Sequence, residues 1–158
     1  MRVVIGCGNL YRRDDGIGIA IIQGLRREMD TLPTDVALYD AGTSGLDIIF
    51  KARDCEQLIV IDACRSGSDP GAVFRVPGNE FELPHTPSLT LHAFRWEHAL
   101  YAGKRLFGEH FPGRVTVFLI EGADFGFGDE LTPRVEEAIA KVIKQIKEML
   151  EEEAEVHV

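Results

Sequence analysis

The sequence has few cysteines, and their spacing excludes the common cysteine-based sites. Cys7, Cys55 and Cys64 are the three cysteines of the 158-residue chain, set at wide and irregular intervals, and no two form a C-x-x-C pair. This pattern excludes a zinc knuckle or a redox dithiol of the usual spacing. Because free cysteine is among the most buried residue types, we expect three reduced side chains that lie mostly in the core.

Long apolar runs are also absent from the sequence. Near the N-terminus, the longest uncharged stretch covers residues 16–25, which is shorter than the roughly 20 residues that a helix needs to span a bilayer. The chain does not open on a basic segment followed by an apolar core and a small-residue cleavage site. We therefore expect no membrane insertion and a cytoplasmic location.

Positive charge is scarce relative to negative charge. Lysine and arginine total 17, aspartate and glutamate total 26, and the formal net charge is −9. Nucleic-acid binding depends on basic side chains that release counterions from the phosphates, so an acidic chain of this kind favours no nucleic-acid partner. A cationic, metal-bearing or basic protein partner fits the charge better.

The common nucleotide and hydrolase fingerprints are missing. After Gly6 and Gly8, the G-x-G-x-x-G pattern requires a third glycine where the chain has Tyr11, and no P-loop motif occurs. The G-x-S-x-G and H-E-x-x-H motifs are absent as well. Asp40 is the one residue that still favours nucleotide binding, because it lies about where a ribose-binding carboxylate would be in the sequence.

What the sequence does contain is an alternation of strand and helix patterns in a chain of ordinary globular composition. The 45% apolar content and the length indicate one folded domain, which we place at residues 1–150, followed by an acidic C-terminal tail at 151–158. Strands are predicted at 3–5, 36–39, 58–61 and 115–120, an edge strand at 72–76, and helices at 16–29, 46–50, 94–106 and from 133. This order predicts an α/β fold, a three-layer sandwich with a mostly parallel twisted sheet flanked by helices on both faces.

Acidic residues follow nearly every predicted strand of the sheet. Asp14 and Asp15 come after the glycine-rich turn that ends the first strand, and Asp40, Asp62 and Glu121 follow later strands. A single such acid commonly caps the next helix. Several carboxylates at the carboxyl-terminal edge of a parallel sheet repel one another unless a cation or a basic ligand is present, so the sequence predicts a cation site there.

A histidine is the best candidate for a further ligand of this site. His92 ends a proline-rich loop just before a predicted helix, from where its side chain can reach the sheet edge. His98 inside that helix and His110 beside a turn fit packing or surface roles better. The remaining histidines are His85 and the terminal His157.

Several motifs in the chain occur in a distinctive order. They are G-C-G-N at 6–9, D-D-G-I-G at 14–18, D-A-G-T-S-G at 40–45, L-I-V-I-D-A at 58–63, His92 before a helix, and L-T-P at 131–133. Together they resemble the hydrogenase maturation endopeptidase family, the proteases that trim the large subunit of nickel-iron hydrogenases.

This resemblance implies an aspartyl-type endopeptidase with a metal-binding cleft. The residues that match the family's ligands are Asp15, Asp62 and His92, with His98 or His85 as alternatives to His92, and Asp40 is a further acid implicated in catalysis together with Asp15 and Asp62. The implied partner is the hydrogenase large-subunit precursor, whose C-terminal extension is cleaved. Nickel is then supplied by that precursor and is not resident in the protease.

Two other functions remain open at this point. One is a metal-dependent hydrolase with its own resident ion and a small substrate, and the other is a non-enzymatic module that binds nickel or the precursor. The role of Asp40 also stays open, since it either acts as a general base or holds Thr43 and its loop in place.

Overall fold

A five-stranded sheet forms the centre of the molecule. The computed structural model describes residues 1–81 and 96–156. Its strands are β1 (Arg2–Cys7), β2 (Val36–Gly42), β3 (Gln57–Cys64), β4 (Val73–Pro77) and β5 (Arg114–Glu121). They lie in the order β2-β1-β3-β5-β4, and all neighbouring pairs are parallel except β4 and β5, which run antiparallel at one edge.

Helices cover both faces of this sheet. The helices of the described residues are α1 (Ile17–Arg27), α2 (Gly45–Ala52), α3 (Trp96–Phe107) and α4 (Pro133–Val156), with short 3-10 turns at Arg13–Gly16, Met29–Thr31, Gly78–Phe81 and Gly108–His110. One apolar core joins α1 and α4 to one face of the sheet, and a second joins α2 and α3 to the other. The predicted three-layer α/β sandwich is confirmed.

The strand patterns explain these two cores. In β3, Ile59 and Ile61 face the core of α1 and α4, whereas Leu58 and Val60 face the core of α2 and α3. Successive side chains of a strand point to opposite faces, so a strand covered on both sides reads as a continuous apolar run. All six residues of β1 are buried for the same reason.

The helix ends differ slightly from the sequence prediction. The helix α1 ends at Arg27 and passes into the short turn Met29–Thr31. At the other end of the chain, α4 continues to Val156, beyond residue 150. Residues 151–156 contain no glycine or proline, and glutamate and alanine are good helix formers, so the helix has no local reason to stop earlier. None of the described helices is long and apolar enough to cross a membrane.

One glycine brings α1 directly against the sheet. A Cβ atom at Gly18 would lie 2.5 Å from the carbonyl oxygens of both Cys7 and Ile61, which is closer than any side chain tolerates. Only glycine therefore permits the first turn of α1 to rest on the carboxyl ends of β1 and β3. This contact also places the acidic turn that precedes α1 at the same edge of the sheet.

Candidate active site

A pocket of about 40 Å³ opens at the carboxyl ends of β1, β2 and β3. Two of the predicted site residues, Asp15 and Asp62, contribute to its wall. Cys7 and Gly8 lie at the end of β1, Thr43 lies in the loop after β2, and Trp96 lies at the first position of α3. This is the edge of a parallel sheet at which ligands usually bind.

Asp62 is held in a fixed orientation at the bottom of this pocket. Its side chain is 8% exposed, its Oδ1 accepts a hydrogen bond from the backbone N–H of Ala63 at 2.8 Å, and its Oδ2 accepts one from Trp96 Nε1 at 2.8 Å. These two hydrogen bonds fix the rotamer of the Asp62 side chain.

Asp15 reaches the pocket from the turn Arg13–Gly16. Its Oδ2 accepts the backbone N–H of Asn9 at 2.9 Å, and in residues 1–81 and 96–156 no donor lies within hydrogen-bond distance of its Oδ1. The side chain is half-buried, so this oxygen can still meet a ligand that enters the pocket.

Gly8 is the reason that Asp15 and Asp62 share one pocket. Its φ of +131° is strained for other residues, and a Cβ atom there would lie 1.8 Å from the carbonyl oxygen of Asp15 and 3.6 Å from Asp62 Oδ1. The glycine therefore lets the loop after β1 fold back over the end of β3. The G-C-G-N motif predicted this turn but not how close the two acids lie to it.

Asp40 lies two residues before the end of β2 and is not part of the pocket wall. Its side chain is exposed, and its Oδ1 accepts the backbone N–H of Gly42 at 2.9 Å. Gly42 has a φ of +54°, so this hydrogen bond stabilises the sharp turn that leads to Thr43. The contact matches the loop-holding role for Asp40, and the general-base role stays a prediction.

Asp14 has a structural function although it precedes Asp15 directly. It is fully buried and accepts the backbone N–H groups of Ala123, Asp124 and Thr132 at 2.7, 2.9 and 2.8 Å, and also the Thr132 hydroxyl. Burial alone would raise the pKa of Asp14, but these hydrogen bonds outweigh it and lower the pKa. The carboxylate joins the turn before α1 to the loop before α4.

Glu121 is the other strand-end acid with a structural function. It is 2% exposed, and its oxygens accept the backbone N–H groups of Ser66 and Ser68 at 2.9 and 2.6 Å and the Ser66 hydroxyl at 2.7 Å. Burial opposes ionisation, yet these donors outweigh it and lower the pKa of Glu121. Glu121 thus orders the loop after β3 and does not face the pocket.

The histidine predictions are resolved only in part. His92, His85 and His157 lie outside the described residues. His98 is on α3, and His110 lies at the opposite end of the sheet, where its Nδ1 is 2.8 Å from Asp54 Oδ1 at the surface. Within the described ranges, no group of three or more histidine, cysteine or acidic side chains is arranged to hold a metal ion. Asp15 and Asp62 bring two carboxylates to one pocket, and the metal-ligand role of these two acids and of His92 stays a prediction.

The cysteines are unsuited to act as nucleophiles. Cys7 lines the pocket, but burial, followed by the nearby carboxylates of Asp62 and Asp40, raises its pKa well above the ordinary value. Burial, together with a hydrogen bond to the Glu121 carboxylate, raises the pKa of Cys64 to about 12. Because the thiolate is the reactive form, thiol chemistry at neutral pH is disfavoured in this pocket.

Trp96 is a site residue that the sequence analysis did not find. It is 5% exposed, lines the pocket and donates to Asp62. It is the only tryptophan in the sequence and stands near the start of a predicted helix, but neither fact indicates its partner. The contact joins residues 34 positions apart, so only the tertiary structure reveals it.

The fold and the site together define an α/β protein with a pair of carboxylates in a pocket at the carboxyl ends of parallel strands. The family model of hydrogenase maturation proteases, HycI, matches residues 19–149. The hydrogenase 2 maturation protease of Escherichia coli K12 is 29% identical over 154 residues, which cover 96% of this chain and 92% of that protein. The hydrogenase expression/formation protein HupD of Thiocapsa roseopersicina is 28% identical over 150 residues, 94% of this chain and 66% of that protein.

Solved structures show the same fold. The hydrogenase maturating endopeptidase HybD from Escherichia coli superposes with a TM-score of 0.78 at 24% sequence identity, covering 97% of this chain and 94% of that chain. The chain belongs to the hydrogenase maturation protease family. The predictions of this family and of a hydrolase of the peptidase class are confirmed.

Proposed function

We propose that this chain is an aspartyl-type endopeptidase that cleaves a C-terminal extension from the nickel-loaded large-subunit precursor of a nickel-iron hydrogenase, in the cytoplasm. The observation that supports this most strongly is the shared pocket of Asp15 and Asp62, two carboxylates that meet at the carboxyl-terminal edge of the sheet. They occupy the positions that the family resemblance assigns to metal recognition.

In this proposal nickel arrives as part of the substrate. Asp15 and Asp62, with His92 as the third ligand, complete the coordination of a nickel ion that the precursor already holds. Two carboxylates and an imidazole suit several divalent metals and leave coordination positions for the precursor's own ligands, so selectivity comes from the precursor. Docking through the metal places the scissile bond next to the pocket, and such positioning contributes strongly to rate.

Asp40 has two candidate roles that one substitution can separate. In Asp40→Asn, the amide oxygen can still accept the Gly42 N–H, but the side chain can no longer take up a proton. If Asp40 only holds the loop, this variant keeps most of its cleavage rate. If Asp40 is the general base, the rate falls by roughly 100-fold or more.

The test of the proposal is the intact mass of the precursor after incubation with this protein. A nickel-loaded precursor should lose a C-terminal peptide, and a nickel-free precursor should remain whole. If neither form is shortened, the protease proposal is wrong, and if both are shortened equally, nickel recognition is wrong. Asp62→Ala should abolish cleavage, whereas Asp30→Ala, which changes an exposed acid in the turn after α1, should not.

Two further measurements test the two other functions. A hydrolase with a resident ion would contain a stoichiometric metal when purified without added metal. A binding module would retain the precursor on a column without changing its mass.

A further inference from the structure

A second recess, of about 470 Å³, adjoins the acidic pocket. Asp15 and Thr43 line both cavities, so the two form a continuous surface at the sheet edge. The lining of this recess has a different chemistry from that of the pocket, since it includes Arg12, Arg65 and Phe125. A basic and aromatic wall therefore lies directly beside the paired carboxylates.

Both arginines of this recess are stacked on phenylalanine rings. The Cζ atom of Arg12 lies 4.2 Å from the centroid of the Phe127 ring, and that of Arg65 lies 4.5 Å from the centroid of Phe125. Phe125 in turn packs so closely over Gly122 that a Cβ atom there would lie 2.5 Å from the ring. Stacking uses the flat face of a guanidinium and leaves its in-plane N–H donors available, so these side chains are ordered without being neutralised.

Neither guanidinium is engaged by an acid of the described chain. Within residues 1–81 and 96–156, no carboxylate lies at ion-pair distance from Arg12 or Arg65, whereas the neighbouring Arg13 pairs with Asp124 at 2.9 Å. The chain has 26 acidic residues and 17 basic ones, so its net charge is negative. Two exposed arginines without an acidic partner in one recess contrast with this negative charge. They create a local site for an anion on an otherwise acidic protein.

We propose that this recess is a substrate subsite that binds acidic side chains of the precursor next to the scissile bond. The inference rests on the proposed function. A peptide whose scissile bond lies at Asp15 and Asp62 has its adjoining residues beside Asp15, and there the recess offers Arg12 and Arg65. A guanidinium matches a carboxylate in a bidentate arrangement, which gives both affinity and orientation.

The kinetic test compares variants of equal charge change. The double variant Arg12→Gln/Arg65→Gln should raise KM for the nickel-loaded precursor by roughly 10-fold or more and leave kcat within about two-fold. The double variant Arg53→Gln/Arg105→Gln is the matched control, because both of its arginines are also exposed and stacked, at 5.1 Å over Phe107 and at 5.8 Å over Tyr101, but do not line the recess. An unchanged KM in the Arg12→Gln/Arg65→Gln variant, or an equal rise in the control, would overturn the proposal.

A binding test does not depend on cleavage. The Nε–Hε signals of Arg12 and Arg65 are followed by NMR during titration with the amidated peptide Gly-Ser-Glu-Glu-Ser-Gly and with its Gln-for-Glu counterpart. We expect shifts with the glutamate peptide alone, and the C-terminal amide ensures that side-chain carboxylates cause them. Equal shifts with both peptides, or none with either, would contradict the subsite.

The two tests separate the failure of the subsite from that of the protease. If the wild-type protein cleaves no precursor but the arginine signals respond to the glutamate peptide, the proposed function is wrong and the anion site stands. If cleavage occurs and the Arg12→Gln/Arg65→Gln variant is indistinguishable from the wild type, the protease stands and the subsite is wrong.

Discussion

Asp14 and Asp15 are adjacent acids with opposite expected roles, and replacing each by asparagine should separate stability from activity. Asp14 is fully buried and accepts three backbone N–H groups and a hydroxyl from the loop that leads into α4. Asp15 is half-buried and accepts one N–H group, from Asn9. We predict that Asp14→Asn lowers the free energy of unfolding, whereas Asp15→Asn lowers the cleavage rate.

The magnitude for Asp14 follows from its hydrogen bonds. Ala123 and Asp124 donate to Oδ2 and Thr132 donates to Oδ1, so an asparagine with one acceptor oxygen leaves at least one backbone N–H without a partner. An unsatisfied buried donor costs about 1–3 kcal/mol, and the remaining bonds also weaken because the acceptor is no longer charged. Together these effects predict a loss of about 2–4 kcal/mol.

Asp15→Asn serves as the matched control for stability. Its amide oxygen can still accept the Asn9 N–H, so the expected loss is below about 1 kcal/mol. The assay is urea unfolding followed by circular dichroism, with equal slopes required for the comparison. A loss of less than about 0.5 kcal/mol for Asp14→Asn would refute the structural role argued for this carboxylate.

Three further predictions concern positioning, pH and packing. Trp96→Phe removes the donor to Asp62 Oδ2, so kcat/KM for the precursor should fall, and an unchanged kcat/KM would show that the hydrogen bond does not position the acid. The folded-state pKa of Glu121 is lowered, so its stabilisation is complete above the ordinary pKa of about 4.3 and is lost as the pH falls through the lower folded value. Glu121→Gln lacks this carboxylate, so its free energy of unfolding, measured with urea, should fall less than that of the wild type between about pH 5 and pH 3. Equal falls in the two proteins would contradict this. Gly18→Ala should destabilise the protein by about 1–3 kcal/mol or more, whereas Gly113→Ala, where no atom lies within 4 Å of the added methyl group, should be near neutral in the same assay.

The sheet was predictable from the sequence because its central strands appear there as continuous apolar runs. The apolar runs at 3–5 and 58–61 lie inside β1 and β3, which are buried by helices on both faces. The proline- and glycine-rich surroundings of 72–76 predicted an edge strand, and β4 is the antiparallel edge strand, ending at Pro77. The L-T-P motif predicted the start of α4, which begins at Pro133.

The sequence did not predict which of the acids stabilise the fold and which line the pocket. Asp14 and Asp15 are neighbours with the same side chain, and what distinguishes them is the loop at 122–132, which bonds to Asp14 from 109 to 118 residues away along the chain. The Trp96 donor to Asp62 and the shared boundary of the pocket with the arginine recess are likewise tertiary features. A pattern of residue types at strand ends predicts where a site lies, but not which member of the pattern supports the fold.

In the function proposed above, the pocket of Asp15 and Asp62 cleaves a nickel-loaded hydrogenase precursor. The most direct measurement is the intact mass of that precursor after incubation with the wild-type protein and with Asp62→Ala, side by side. We predict that the wild type reduces the mass by that of a C-terminal peptide and that the variant leaves it unchanged. An unchanged mass with the wild type, or an equal reduction with both proteins, would contradict the proposed function.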